Sequence, residues 1–232
     1  MALHKTRGIV INYIRYKETS VIVKIYTEQF GIQSYIENGV RSSKSKNKIA
    51  LFQPLTLLDL VVYHKKTGGQ QLQRIAEIKC NHAFQSIPFE FSKSSIAMFI
   101  IEMLSKCLKE EAANTPLFEF IHESMIWLDE AKDQYGFFHL IFLLRFASYL
   151  GFAPLDAEEI AQQLQEANYK ILLDAPATIV LNQLIESDYT DGFLTDRHTR
   201  NALLESILAF YDLHIDSLGE VKSLAVLREV MK

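Results

Sequence analysis

Gly8-Ile-Val-Ile-Asn-Tyr-Ile-Arg-Tyr16, a polar break at Lys17-Glu18-Thr19, and Ser20-Val-Ile-Val-Lys-Ile-Tyr-Thr27 are the runs on which the fold turns. Both apolar runs are dense in β-branched and aromatic residues, whose side chains suit a pleated, half-buried surface, so each reads as a strand. In the second, Val21, Val23 and Ile25 alternate with Ile22, Lys24 and Tyr26, the period of a strand with two unlike faces. Phe30-Gly31 turns the chain, since Gly31 can take a backbone angle that strains other residues. Farther along, Gln33 to Asn38 reads as a third strand and Leu55 to Tyr63 as a fourth. Lys65 to Gln70, with Gly68-Gly69, is a turn or loop. Leu72 to Lys79 is a fifth strand. Five short strands in about eighty residues predict a small closed or nearly closed barrel, because closure removes unpaired sheet edges. An OB-fold fits the count; SH3-like barrels have similar sequences.

After Pro88 the period changes. Ile96, Phe99, Ile100, Met103, Leu104, Cys107 and Leu108 recur at helical spacing, which predicts an amphipathic helix over Ser92 to Glu111, capped by Ser92 or Ser94. Pro116 suits the first turn of the next helix, which runs through Trp127 or beyond. Tyr135 to Leu150 is strongly apolar and reads as a central helix ended at Gly151. Another helix follows Pro176, a long one capped by Thr195 or Asp196 runs through His214, and a last covers about Glu220 to Glu229. The class is therefore α+β: an N-terminal five-stranded barrel over residues 1–82, then an all-helical domain over residues 83–232. The segment 156–175 carries the weakest pattern.

Charge divides the chain in the same way. Residues 1–80 hold 13 Lys or Arg against 5 Asp or Glu, a formal +8; residues 81–232 hold 11 against 23, a formal −12. The pI of about 6.0 conceals this split. A basic β-domain beside an acidic helical one implies two surfaces with different partners, the first suited to an anion such as nucleic acid. The sharpest local signal is Asn38-Gly-Val-Arg-Ser-Ser-Lys-Ser-Lys-Asn-Lys48, cationic and without hydrophobic period. Such a loop can lie along a phosphate backbone, giving salt-dependent affinity that is indifferent to sequence. The DNA-binding candidates are Arg7, Arg15, Lys17, Arg41, Lys44, Lys46, Lys48, Lys65 and Lys66. Arg7 and Arg15 lie on or beside strands and could instead help the barrel pack.

Other chemistry is poorly supplied. No HExxH, P-loop, GxSxG or dinucleotide fingerprint occurs, and nothing pairs two groups for acid/base work, so binding without catalysis and without a cofactor is expected. Cys80 and Cys107 form no CxxC pair, and the seven histidines show no metal spacing. Asp188, Asp191 and Asp196 fit no calcium loop. Cys107 and Trp127 read as core. No stretch reaches the roughly 18 apolar residues of a membrane span and no signal peptide is visible, which makes the cytoplasm the default location.

The arrangement resembles the RecO family of bacterial DNA-repair mediators. The marks begin at Arg7-Gly8-Ile9-Val10, Glu18-Thr19-Ser20 and Ile22-Val23. They include Gly39-Val40-Arg41 with Lys44-Ser45 and Gln53-Pro54, then Glu102-Met103-Leu104 and Pro116-Leu117-Phe118. They continue with Gly151-Phe152-Ala153-Pro154 and end at Arg200, Leu203-Leu204, Tyr211, His214 and Lys222-Ser223-Leu224. Details are similar to members from the Bacteroidetes group. The resemblance implies an OB-fold followed by a helical domain, and binding of single- and double-stranded DNA. It also implies annealing of complementary strands, action with RecR, and help in placing RecA on DNA coated by single-stranded DNA-binding protein, whose acidic C-terminal tail the family contacts. Many members carry a four-cysteine zinc module after the Gly-Phe-x-Pro segment. Here Leu155-Asp156-Ala157-Glu158-Glu159 follows and no cysteine does, so no structural zinc is expected.

An acidic tail ending in apolar residues needs an apolar pocket with a cationic rim. The candidates are Arg197, Arg200, Leu203, Leu204, His214, Lys222, Leu224 and Arg228, grouped toward the C-terminal end. A barrel that binds RNA, or a scaffold without a recombination role, is the alternative reading.

Overall fold

A computed structural model describes residues 2–40, 48–64, 72–109, 112–170 and 173–230. Strands β1 (Ala2–Tyr16), β2 (Ser20–Thr27), β3 (Gly31–Glu37), β4 (Leu57–His64) and β5 (Gln73–His82) close into a barrel with the ring order β1-β2-β3-β5-β4. This is the OB-fold arrangement, and it settles the choice between small barrels that a strand count leaves open. Closure rests on β1. Its first half pairs antiparallel with β4 and its second half with β2, while Gly8 and Ile9 are in register with both. A register shift between Val10 and Asn12 marks the bend that lets one strand serve two neighbours. The strand starts well before the apolar run predicted for it, because Leu3, His4, Lys5, Thr6 and Arg7 lack strand-like alternation and are held by pairing with β4.

Val10, Val21, Val23, Ile25, Tyr35, Phe52, Leu58, Leu60 and Val62 form the barrel core. A short 3-10 helix, Lys48–Phe52, carries the fully buried Phe52 into it. Gly8 lies where the two halves of β1 meet. A Cβ there would stand 2.7 Å from Ile25 Cγ2 and 2.8 Å from Leu60 Cδ1. Both are core side chains with little room to retreat, so Gly8→Ala should cost about 2 kcal/mol of stability. Urea titration of the variant checks this; an unchanged midpoint would mean that the barrel relaxes freely.

Seven α-helices follow among the described residues: α1 (Phe91–Cys107), α2 (Thr115–Glu130), α3 (Phe138–Leu150), α4 (Ala157–Glu166), α5 (Ala175–Glu186), α6 (Arg197–His214) and α7 (Leu224–Val230). The chain divides into two compact units: Met1–Pro88 with Ile101–Trp127, and Phe89–Ile100 with Leu128–Lys232. In the second unit α3 is buried over most of its length and ends at Gly151, whose φ of +89° is the left-handed turn that glycine takes most easily. The weakly patterned segment after Pro154 forms α4, capped by Asp156, whose Oδ1 accepts from Glu159 N–H at 2.7 Å. Asp174 caps α5 and Asp196 caps α6 in the same way, at 2.9 and 2.8 Å. Neither Ser92 nor Ser94 caps α1, which begins at Phe91. Ser92 Oγ instead lies 2.9 Å from Tyr135 Oη.

Lys93 and His139 are among the polar side chains buried in this unit. Lys93, 1% exposed, donates from Nζ to the carbonyl of Asp129 at 2.9 Å and to that of Ala131, at the C-terminal end of α2. His139 on α3 is 1% exposed, edge-on to Phe99 at 6.1 Å, with Nδ1 lacking a hydrogen-bond partner. No helix among the described residues is long and apolar enough to cross a membrane.

Candidate nucleic-acid interface

The outer surface of the barrel can be read from its register. Ile14 faces Ile22, Ile22 faces Ile36, and Ile36 faces Arg74, a row that crosses β1, β2, β3 and β5. Asn12, Lys24 and Ser34 form the adjacent row. Directly opposed residues share a face of the sheet, so aliphatic positions, with Ile14 60% exposed, lie beside cations at Lys24 and Arg74. In barrels of this order the β2–β3 face and the β1–β2 and β4–β5 loops receive oligonucleotides. Lys24 and Arg74 were not among the sequence candidates. The signal was present in the alternation of Lys24 against inward Val23 and Ile25, but for Arg74 only the β3–β5 pairing reveals it.

Arg15 is exposed at the end of β1, and Lys17 forms the β1–β2 turn with φ +50°. Lys17 Nζ stands 5.3 Å from the ring centroid of its neighbour Tyr16. Neither cation has a carboxylate partner among the described residues, so each can answer a phosphate without first breaking an ion pair. Lys48 is different, because its ammonium is paired with Glu37. Arg41, Lys44 and Lys46, with Lys65 and Lys66 of the β4–β5 connection, lie outside the described residues.

Arg7 is committed elsewhere. Its Nε and Nη2 donate to the two carboxylate oxygens of Glu28 at 3.0 Å each, its Nη1 donates to Glu119 at 3.2 Å, and Nη2 also reaches Glu119. The guanidinium lies 5.1 Å from the Phe118 ring. These bonds hold the Glu28 carboxyl below the usual carboxylate range and raise Arg7 further. Planar bidentate pairing of this kind fixes position. Here it joins β1, the β2–β3 turn and α2, all within the first unit.

The candidates in the helical unit separate into three groups. Lys222, Leu224 and Arg228 come together around a cavity of about 500 Å³, which Leu208, Leu218 and Val221 also line. Arg228 there is paired with Glu205. Leu203 and Leu204 are buried in the core. Arg197 is exposed at the start of α6, Arg200 stands 5.1 Å from the Phe137 ring, and His214 stacks on Phe152 at 4.7 Å while Nε2 meets Gln163 Oε1 at 3.0 Å. Leu208, Leu218 and Val221 are lining residues that sequence reasoning missed, because an apolar residue beside a shallow cavity reads as ordinary core. Cys107 is buried, and burial pushes its thiol up to about 12, an inert packing residue.

Comparison with known proteins assigns the chain to two family models. The family model described as "Recombination protein O N terminal" matches residues 1–84, and "Recombination protein O C terminal" matches residues 88–225. The chain is similar to the DNA repair protein RecO of Flavobacterium psychrophilum, at 36% identity over 97% of this chain and 98% of that one. It is similar to the protein of the same name from Phocaeicola vulgatus, at 35% over 98% and 99%, and from Bacteroides fragilis, at 36% over 98% and 99%.

Proposed function

We propose, because this chain belongs to the recombination protein O family, that it serves DNA repair as a recombination mediator that works by binding and not by covalent chemistry. The observation that carries this reading is a closed basic barrel, +8 over residues 1–80, in one chain with a helical part at −12. In this reading residues 1–82 bind single- and double-stranded DNA and residues 83–232 bind proteins. The barrel holds complementary strands together against their mutual repulsion and so anneals them. With RecR, the protein helps load RecA on DNA coated by single-stranded DNA-binding protein.

Phosphate neutralisation supports the DNA half. Arg15 and Lys17 at the β1–β2 turn, with Lys24 and Arg74 on the barrel face, offer counterion-releasing contacts, and the sequence adds Arg41, Lys44, Lys46, Lys65 and Lys66, with Lys48 once it leaves Glu37. Replacing Arg41, Lys44, Lys46 and Lys48 together with glutamine should weaken DNA binding about tenfold or more at physiological salt. The loss should be similar for unrelated sequences, and the slope of log affinity against log salt should flatten by roughly 3 for single strands. Fluorescence anisotropy at four salt concentrations measures both. An unchanged slope would take this loop out of the interface. Annealing of strands precoated with single-stranded DNA-binding protein tests the mediator role itself, with a matched RNA as the comparison ligand.

The cavity beside α7 suits the acidic tail of that coating protein. Leu208, Leu218 and Val221 offer apolar surface, and the lining cation Lys222 is the one to meet a carboxylate there, beside Asp212 and Glu220. Lys222→Glu should weaken an isolated tail peptide about tenfold while leaving affinity for naked DNA unchanged. Equal peptide affinity in a folded Lys222→Glu protein would place the tail elsewhere.

A further inference from the structure

His122 on α2 is 6% exposed, yet it faces acidic groups. Its Nε2 lies 3.0 Å from Asn81 Oδ1, and Asn81 Nδ2 donates to Asp59 Oδ1 at 2.9 Å. The second bond fixes the amide of Asn81, since the flipped amide would set its oxygen against a carboxylate. Asn81 therefore presents an acceptor to the ring, and Nε2 must carry the proton. That leaves Nδ1 on the other side of the ring, 3.3 Å from Glu123 Oε1. An imidazole nitrogen facing a carboxylate at this distance is bridged by a cation, either a proton or a metal ion. Glu119, one helical turn earlier, completes the group: one donor atom from each of Glu119, His122 and Glu123 lies within 4.8 Å of the others.

We propose that these three residues bind one divalent metal ion of the zinc class. Two carboxylates and one imidazole are a donor set for borderline cations, with water filling the open position. The outer support is already built. A ligating histidine commonly donates its second ring N–H to an oxygen that fixes its tautomer, as Asn81 does here. Glu119 keeps its bonds to Arg7 and still has lone pairs to offer, since a carboxylate has about four acceptor sites. Four carboxylates, Glu28, Glu119, Glu123 and Asp59, surround the group. Arg7, with Lys79 as the cross-strand neighbour of Asp59, supplies the opposing charge, so a divalent ion is electrostatically welcome. Glu123 is 68% exposed and free to swing onto the ion. The site differs from a four-cysteine module: it is open, and the barrel and α2 are already joined without it by the Arg7 pairs. Its ion is accessory and exchangeable.

The test uses the full chain after chelation and dialysis. Cobalt(II) should bind at one equivalent, with visible absorption bands that zinc abolishes by displacement. Glu123→Gln, at an exposed position that will not disturb folding, should weaken binding at least tenfold, and His122→Gln should remove it. Chelation should leave the melting transition cooperative. The proposal is overturned if cobalt and zinc do not bind stoichiometrically, or if both substitutions leave binding unchanged. It is equally overturned if nitrogen NMR finds both ring nitrogens of His122 protonated at pH 7.5 with no response to zinc.

Discussion

Lys93→Met should lower the stability of this protein by about 3 kcal/mol and its melting temperature by roughly 10 °C. The side chain is 1% exposed, and its ammonium serves the carbonyls of Asp129 and Ala131 where α2 ends. The last carbonyls of a helix have no partner within the helix and carry its negative dipole end. A buried cation satisfies both needs at once. Methionine fills the same volume but donates nothing, so two carbonyls lose a charged donor away from water. Removing the buried charge recovers some desolvation cost, which is why the loss stays below the sum of two strong hydrogen bonds. Chemical denaturation of the wild type and Lys93→Met, with Lys93→Arg as a control that keeps charge, measures the effect. A shift below 1 kcal/mol would show that water reaches those carbonyls.

His139 should make the helical unit lose stability in acid. Desolvation, with a smaller contribution from the nearby positive charge of Arg200, lowers its pKa from 6.5 to about 3. The folded protein therefore keeps His139 neutral while the unfolded chain takes a proton near pH 6.5. Above that pH the group has no linkage to folding. As pH falls from 6.5 toward 3 the unfolded state binds more protons, and stability drops by up to about 1.4 kcal/mol per pH unit. At pH 4 the loss from this one group is roughly 3 kcal/mol. In His139→Leu that share of the pH dependence should vanish, so the variant should gain on the wild type steadily from pH 6.5 to 4. Parallel stability curves over that range would mean that the ring titrates normally in the folded state.

The sequence carried the barrel well because its strands announce themselves locally: Val21, Val23 and Ile25 point inward as their alternation requires. It was blind to the front half of β1, where Leu3 to Arg7 are held by pairing with β4 and not by their own pattern. Helix boundaries were legible where a chemical stop exists, at Asp196 and Gly151, and misplaced at Ser92, where a serine suited to capping lies one residue inside the helix. Arg7 shows the limit for sites. A cation in a basic domain reads as a phosphate ligand until Glu119, more than a hundred residues away, is seen to hold it. Lys24 and Arg74 are closer in sequence than Arg7 and Glu119, yet only register brings their rows together.

The three aspartate caps have a consequence for molecular discrimination. The amino end of a helix is a ready anchorage for phosphate, because free N–H groups and the dipole converge there. At α4, α5 and α6 that anchorage is already taken by the chain's own carboxylate, from Asp156, Asp174 and Asp196. A nucleic acid strand drifting across the helical unit finds those three doors shut by a like charge. Under the proposed function, an anionic peptide that brings apolar side chains would still find the cavity beside α7, and the unit would sort two polyanions by what accompanies their charge.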